Sequence, residues 1–273
     1  MEVITTIAGL REELYPRRAH AQIALVPTMG ALHAGHLALI EAARTQCELV
    51  VISLFVNPTQ FGSAADFDCY PRTLERDGQA AEAAGVDYLF APSTEEVYPA
   101  GFQTQVEVAD VSRGMEGAAR PGHFGAVATI CLKLFNIVQP DRAYFGRKDA
   151  QQAAVVIRMV HDLDIDVDVR IVPTVRDTDG LALSSRNVHL TQRERQAALA
   201  LPEALAAGRA AHALGGDPVG AAREALTEAV DVVMDYVDTM RLNGQSLLAG
   251  SITVGSTRLI DNVILDPGAQ EVF

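Results

Sequence analysis

A parallel α/β sheet with helices on both faces, followed by a smaller α+β unit, is the fold that this sequence of 273 residues predicts. Three observations carry the prediction. Strand-like and helix-like segments alternate from Ile23 to Val175. The strand-like segments are almost continuously apolar, as strands covered by helices on both faces are. After Val175 the alternation gives way to a long alanine-rich helix and then to strand-like runs. The first part, residues 1–174, reads as a Rossmann-like domain and the second, residues 175–273, as a C-terminal α+β domain. The boundary falls between Pro173 and Gly180.

The elements follow in order. Residues 23–26 are an apolar run that reads as a buried strand, and Leu37, Leu39, Ile40 and Ala43 recur behind it at helical spacing. Residues 50–56 are a nearly continuous apolar strand. Residues 73–84 form a helix ended by Gly85, and residues 86–91 a strand closing at Pro92. Residues 124–138 are a strongly amphipathic helix stopped by Gln139-Pro140. A short strand over 143–145, a helix over 150–161 and a strand over 167–172 complete the first part. Thr191-x-x-Glu194 is a capping box opening one long helix that stops near Gly215-Gly216. A second helix follows Asp217, with Pro218 at its first position. Two or three strands finish the chain, around residues 233–240 and 258–265. Crossovers in the parallel part should be right-handed, with ligands beyond the carboxyl ends of the strands.

Composition narrows the function. Hydrophobic residues make up 49%, yet no run reaches the roughly 20 apolar residues of a membrane span. Met1 to Thr5 shows no basic stretch leading into an apolar one, so no secretory signal is expected. Three cysteines (Cys47, Cys69, Cys131), none in a C-x-x-C pair, suit reduced residues of a cytoplasmic protein. A net charge of −13 argues against nucleic acid as a partner, so basic groups for any nucleotide must be gathered locally. There is no internal repeat and no low-complexity linker.

The most informative stretch is Val26-Pro27-Thr28-Met29-Gly30-Ala31-Leu32-His33-Ala34-Gly35-His36. A strand turns through a glycine-containing loop into a helix whose first turn carries two histidines on one face. Free backbone N–H groups and the positive end of the helix dipole suit a phosphate there, and Gly30 and Gly35 allow close approach. Other readings exist. The histidines also suit an ordinary helix surface. A metal pair lacks a third ligand cluster and the glutamate of a zinc-protease helix. Gly30-x4-Gly35 opens like a P-loop, but His36-Leu37 replaces its Lys-Ser/Thr.

Four further segments carry polar chemistry. Asn57-Pro58-Thr59-Gln60-Phe61-Gly62 places two amides after the second strand, or is simply a polar turn. The segment Asp66 to Arg72 suits a flap. Arg120-Pro121-Gly122-His123-Phe124-Gly125 precedes the amphipathic helix and doubles as a helix entry. Phe145-Gly146-Arg147-Lys148-Asp149-Ala150-Gln151-Gln152 repeats the strand, glycine, charged turn and helix of the first motif. Asp149-x-x-Gln152 also fits a helix cap, whereas Lys148 projects toward the rim of His33 and His36. Asp179 to Asn187 brings Ser184, Ser185 and Arg186, two hydroxyls and a guanidinium suited to phosphate oxygens. Neither serine has the G-x-S-x-G setting of a hydrolase nucleophile.

Together these segments, from Pro27 to Leu190, resemble the pantothenate synthetase (pantoate–β-alanine ligase) family. His33-x-x-His36 resembles the HIGH-type signature of class I aminoacyl-tRNA synthetases and their nucleotidyltransferase relatives, and Ser184-Ser185-Arg186 is similar to the family's KMSKS-type loop. Pro27-Thr28-Met29-Gly30, Asn57 to Gly62, Tyr70-Pro71-Arg72-Thr73 and Lys148-Asp149-x-Gln151-Gln152 are more specific to the family. The resemblance implies ATP-dependent ligation of pantoate with β-alanine through a pantoyl adenylate, releasing pyrophosphate and then AMP. It implies ATP as a substrate, with Mg²⁺ held mainly by the ATP phosphates. It also implies a cytoplasmic homodimer with small-molecule substrates, no nucleic acid and no membrane.

Residue by residue, the resemblance places His33, His36, Lys148, Ser184, Ser185 and Arg186 against the phosphates as the catalytic set. Pro27, Met29, Gly30, Gly146, Asp149 and Val175 would complete the ATP site. Met29, Gln60, Phe61 and Gln152 would hold pantoate. Asn57, Tyr70 and Arg120 would stand near the second substrate or the lid formed by the C-terminal domain. Arg147, Ala150 and Leu183 depart from the family's more frequent glutamate, aromatic and methionine. Two rival readings are a nucleotidyltransferase of the same fold acting on a phosphorylated acceptor and a non-catalytic nucleotide sensor.

Overall fold

The structure is a computed structural model that describes residues 1–266. Its elements in chain order are β1 (Glu2–Ile4), α1 (Ile7–Leu14), β2 (Ile23–Thr28), α2 (Ala34–Gln46), β3 (Leu49–Leu54), α3 (Ala64–Cys69), α4 (Leu74–Ala83) and β4 (Tyr88–Phe90). These are followed by α5 (Thr94–Val97), α6 (Met115–Ala119), α7 (His123–Val138), β5 (Arg142–Gly146), α8 (Ala150–Asp162) and β6 (Asp168–Val172). Then come α9 (Gln192–Ala198), α10 (Ala200–Ala213), α11 (Pro218–Thr227), β7 (Val233–Leu242), β8 (Gln245–Val254) and β9 (Thr257–Ile264).

Six strands form one parallel sheet in the order β1-β4-β3-β2-β5-β6. Side chains alternate across each strand, and both faces are apolar, as the continuous runs require. Ile23, Leu25, Val51, Phe90, Ala143 and Phe145 pack with α1, α7 and α8 on one side. Ala24, Val26, Val50, Ile52 and Leu89 pack with α2 and α4 on the other. From β2 the chain moves outward one way through β3 and β4, then returns to the opposite flank of β2 with β5. That reversal is where open α/β sheets leave a crevice at the carboxyl ends of the strands. The ladder between β2 and β5 covers only Ala24↔Arg142 and Leu25↔Ala143. Pro27, with no N–H to give, lies beyond it, paired with Ser53 of β3 alone.

The second sheet is antiparallel, in the order β7-β8-β9, and packs against α9, α10 and α11. Its middle strand, β8, is buried almost throughout and lies between the two segments expected as strands. Asn243 and Gly244, both at positive φ, form the two-residue turn that joins β7 to β8. The expected single alanine-rich helix is two: α9 ends at Ala198 and α10 starts at Ala200, with Leu199 as the junction. The capping box of Thr191 and Glu194 is formed. Leu242 and Leu247 of the second sheet pack on Ala150, Ala153 and Ala154 of α8, so the two layers meet at the helix that follows Lys148.

Candidate active site

The loop after β2 is built around side-chain bonds rather than around glycine alone. Thr28 donates its Oγ1 hydrogen to the Ser53 carbonyl at 2.7 Å. Asp77 of α4, 2% exposed, accepts the N–H groups of Ala31 and Leu32, each at 2.8 Å, and the Thr73 hydroxyl at 3.0 Å. Gly30 (φ +86°) turns the chain, and a Cβ there would stand 3.0 Å from the Asp77 carboxylate. The loop therefore arrives at α2 in one fixed shape.

His33 is the N-cap of α2 and His36 its third residue, and the two rings form a reciprocal capping box. The Gly35 N–H donates to His33 Nδ1 at 3.1 Å, and the His33 N–H to His36 Nδ1 at 3.3 Å. Two N–H groups expected to be free for phosphate are thus taken by the imidazoles themselves. With Nδ1 accepting in both rings, the proton of each neutral imidazole sits on Nε2. Burial, reinforced by its neighbour His33, pushes His36 down to about 3. Burial and then Lys148 lower His33 as well. Both are neutral Nε2–H donors at pH 7. A Cβ on Gly35 would lie 2.8 Å from His33 Cε1, so glycine here spares the ring as much as the ligand.

After β3 a 3-10 turn, Pro58–Gln60, presents Gln60. Asn57, 1% exposed, accepts from the Thr59 hydroxyl at 2.9 Å and donates through Nδ2 to Gln60 Oε1 at 3.0 Å. The bond fixes the Gln60 amide with its NH₂ remaining as the donor. The Gln60 carbonyl accepts from Arg120 at 3.1 Å and from His123 Nδ1 at 3.2 Å. His123 Nε2 lies 3.1 Å from Arg120 Nη1. Burial, then the Arg120 charge, lowers His123 to about 4, so the ring is neutral, donating at Nδ1 and accepting at Nε2.

Gly146 ends β5, and a single 3-10 turn, Arg147–Asp149, carries Lys148 into α8. Asp149 occupies the N-cap of α8 but makes no side-chain cap bond, which corrects the helix-cap reading of Asp149 and Gln152. Opposite, Ser184 caps the 3-10 turn Ser185–His189 by accepting the Arg186 N–H at 3.2 Å. Ser185 is hydrogen-bonded to Tyr70, the residue that ends α3.

One cavity of about 240 Å³ at the β2–β5 reversal gathers most of these groups. Pro27, Met29, His33, His36, Gln60, Tyr70, Gly146, Lys148, Asp149, Gln152, Val175, Ser184, Ser185 and Arg186 line it, with an apolar wall from α7. Phe61 and Arg120 line an adjoining cavity of about 590 Å³ that shares Gln60, Tyr70, Asp149, Ser185 and Arg186 with the first. Gly30 and Asn57 line neither cavity: one shapes the turn and the other orients Gln60. Sequence reasoning passed over Asp77, over His123 as a partner of Gln60, and over Asn262, which donates to the Lys148 carbonyl at 3.1 Å. Nothing local marks them, because each acts on a segment far away in the chain.

A parallel sheet with a His-x-x-His cap at its reversal faces a lysine turn and a Ser-Ser-Arg loop across one cavity, the arrangement that resemblance to the HIGH-motif nucleotidyltransferase class implies. Within that class the comparisons are specific. The family model described as pantoate-beta-alanine ligase matches residues 2–264. A pantothenate synthetase of Moorella thermoacetica is 49% identical over 280 residues, covering 97% of this chain and 99% of the relative. The crystal structure of pantothenate synthetase from Thermus thermophilus superposes with a TM-score of 0.91 at 46% identity, covering 97% of this chain and 99% of that one. The pantoate-beta-alanine ligase of Francisella tularensis, solved in complex with beta-gamma ATP and beta-alanine, gives 0.82 at 32% identity, covering 98% and 99%. The chain belongs to the pantoate–β-alanine ligase family, and it is an enzyme of the ligase class.

Proposed function

We propose that this site condenses pantoate with β-alanine to pantothenate at the expense of ATP. The observation that carries the reading is the single cavity where neutral Nε2–H donors, Lys148, Arg186 and two serines surround the same space as the Gln60 and Gln152 amides. The pantoate carboxylate attacks the α-phosphorus of ATP, forming a P–O bond as the bond to the pyrophosphate oxygen breaks. The amine of β-alanine then attacks the acyl carbon, AMP leaves with the electron pair of the C–O bond, and a proton is lost from nitrogen. Charge grows on the phosphoryl oxygens and on pyrophosphate in the first step. His33, His36, Lys148, Ser184, Ser185 and Arg186 stabilise it as donors already in place.

Met29, Gln60, Phe61 and Gln152 hold pantoate, its geminal methyls against Val127, Ile130 and Leu134 and its hydroxyls on the amides. Pro27, Met29, Gly146, Asp149 and Val175 receive the nucleotide, with Gly30 shaping their loop. Arg120 and Tyr70 face the adjoining cavity where the second substrate enters, and Asn57 acts through Gln60. Mg²⁺ arrives on the ATP phosphates. Asp149 is the one carboxylate among the described residues that line the cavity of about 240 Å³, which suits an ion that takes few protein ligands and keeps its phosphate oxygens and waters. Residues 1–174 form the catalytic domain and 175–273 the lid, the last stretch of which, 267–273, lies outside the described residues. A cytoplasmic homodimer belongs to the same reading and rests on family resemblance. Among the described residues no helix is long and apolar enough to cross a membrane.

The test is exchange of labelled pyrophosphate into ATP with pantoate and Mg²⁺ present and β-alanine absent. Exchange should occur, stop when pantoate is omitted, and fall about a hundredfold in His36→Ala, the usual loss for one preorganised donor. Adding β-alanine should yield AMP and the amide. Exchange that needs β-alanine, or release of ADP and phosphate, would defeat the reading.

A further inference from the structure

Two neighbouring residues of β9 tie together the segments that carry the cations of the cavity. Asp261, 3% exposed, accepts two bonds from the Arg176 guanidinium at 2.6 and 3.0 Å. Arg176 also donates to the carbonyls of Gly180 and Asn262 and pairs across a β-bridge with Ala182, two residues before Ser184 and four before Arg186. Asn262, likewise 3% exposed, reaches the other way. Its Nδ2 donates to the Arg147 carbonyl at 2.8 Å and to the Lys148 carbonyl at 3.1 Å. Only an NH₂ satisfies two carbonyls, so the amide orientation is set by chemistry. The Oδ1 that remains is buried with no hydrogen-bond partner among the described residues. An unpaired buried acceptor destabilises the fold, so packing alone does not account for asparagine here.

We propose that Asn262 is a positioning residue for the adenylate-forming step: by holding the Arg147 and Lys148 carbonyls it sets where the Lys148 ammonium stands against His33 and Arg186. The second sheet thereby fixes the geometry of a phosphate-binding turn that the first sheet carries. The inference rests on the assignment of Lys148 to the phosphates. Release of the turn moves the ammonium without removing it, and displacements near 1 Å cost on the order of a hundredfold in rate.

The experiment measures pyrophosphate exchange at saturating ATP and pantoate for Asn262→Ala and Asn262→Asp, alone and combined with Lys148→Ala. Folding is followed by circular dichroism. Aspartate keeps the shape of asparagine and its Oδ1 but turns an acceptor toward two carbonyls. Both single variants should slow exchange by on the order of tenfold or more while remaining folded. In the Lys148→Ala background neither should slow it further, because residues acting as one unit are not additive. Wild-type exchange in Asn262→Asp, or a loss that multiplies with that of Lys148→Ala, would overturn the proposal. If Lys148→Ala alone leaves exchange intact, the assignment of Lys148 fails and this inference falls with it. That outcome is distinct from wild-type exchange in the Asn262 variants beside a damaged Lys148→Ala.

Discussion

Two glutamines face the cavity, and their surroundings differ. Gln60 is held by Asn57 and by the bonds that its carbonyl accepts from Arg120 and His123. Gln152 stands in the first turn of α8, in the cavity lining, beside an Asp149 that does not cap the helix. Removing the Gln152 amide therefore leaves the helix start as it is and, on the proposed reading, takes away only a contact to the acid substrate. Gln152→Ala should weaken pantoate by ~1–3 kcal/mol, the range for a buried group left without its partner. ATP binding measured without pantoate should not change. Calorimetric titration of each ligand separates the two, and an equal loss for both would remove Gln152 from the pantoate site.

At the scale of elements, the second layer combines an apolar side-chain core with a point of very close approach. Gly208 lies in α10 where a Cβ would come within 2.3 Å of Leu248 on β8 and 2.6 Å of the Pro218 carbonyl in α11. Both a strand side chain and the backbone of a neighbouring helix would have to move. Gly208→Ala should destabilise the chain by ~1–3 kcal/mol, despite alanine's better helix propensity. Gly208 borders neither of the two adjoining cavities, so pyrophosphate exchange in the folded variant should match wild type. A urea midpoint at or above the wild-type value would show that the three elements repack without strain.

Across the whole molecule, three histidines that the fold shields from solvent, His123 buried and His33 and His36 partly so, give stability a defined pH dependence. His36 lies at about 3, His123 at about 4, and His33 also below its ordinary value, burial being the largest cause for each. An unfolded histidine takes its proton near pH 6.5. Between that value and the folded ones the unfolded chain holds more protons, so acidification favours unfolding. The stabilisation is complete above about pH 6.5 and is lost as pH falls toward 4, by a few kcal/mol in all. Urea unfolding from pH 7.5 down to pH 4.5 should show this slope beginning near pH 6.5, and His123→Gln should flatten it. A flat profile down to the carboxylate range would mean that these rings take protons in the folded state. If His33 and His36 serve the exchange reaction as proposed, it should lack a histidine limb near pH 6.5, since both rings are already neutral there.

The sequence by itself determined what depends on neighbours along the chain. Apolar runs at strand spacing and helical periodicity located the strands from β2 to β6 and the main helices. Strand-to-helix turns with glycine, histidine or lysine were legible as candidate segments, and the structure brings both turns to one cavity. The Asn243-Gly244 pair, at the tip of the hairpin, is a local signal for β8 that the alternation pattern passed over. The tertiary structure alone decided what sets those segments in place. Asp77 acts across 46 residues on Leu32's loop neighbour Ala31, His123 across 63 on Gln60, and Asn262 across 114 on Lys148. An aspartate, a histidine or an asparagine of this kind has no periodicity, and its role exists only when burial brings it to a distant carbonyl or N–H. The same holds for the two imidazoles, whose spacing is legible but whose reciprocal cap and neutral charge state follow from how deeply the folded chain buries them.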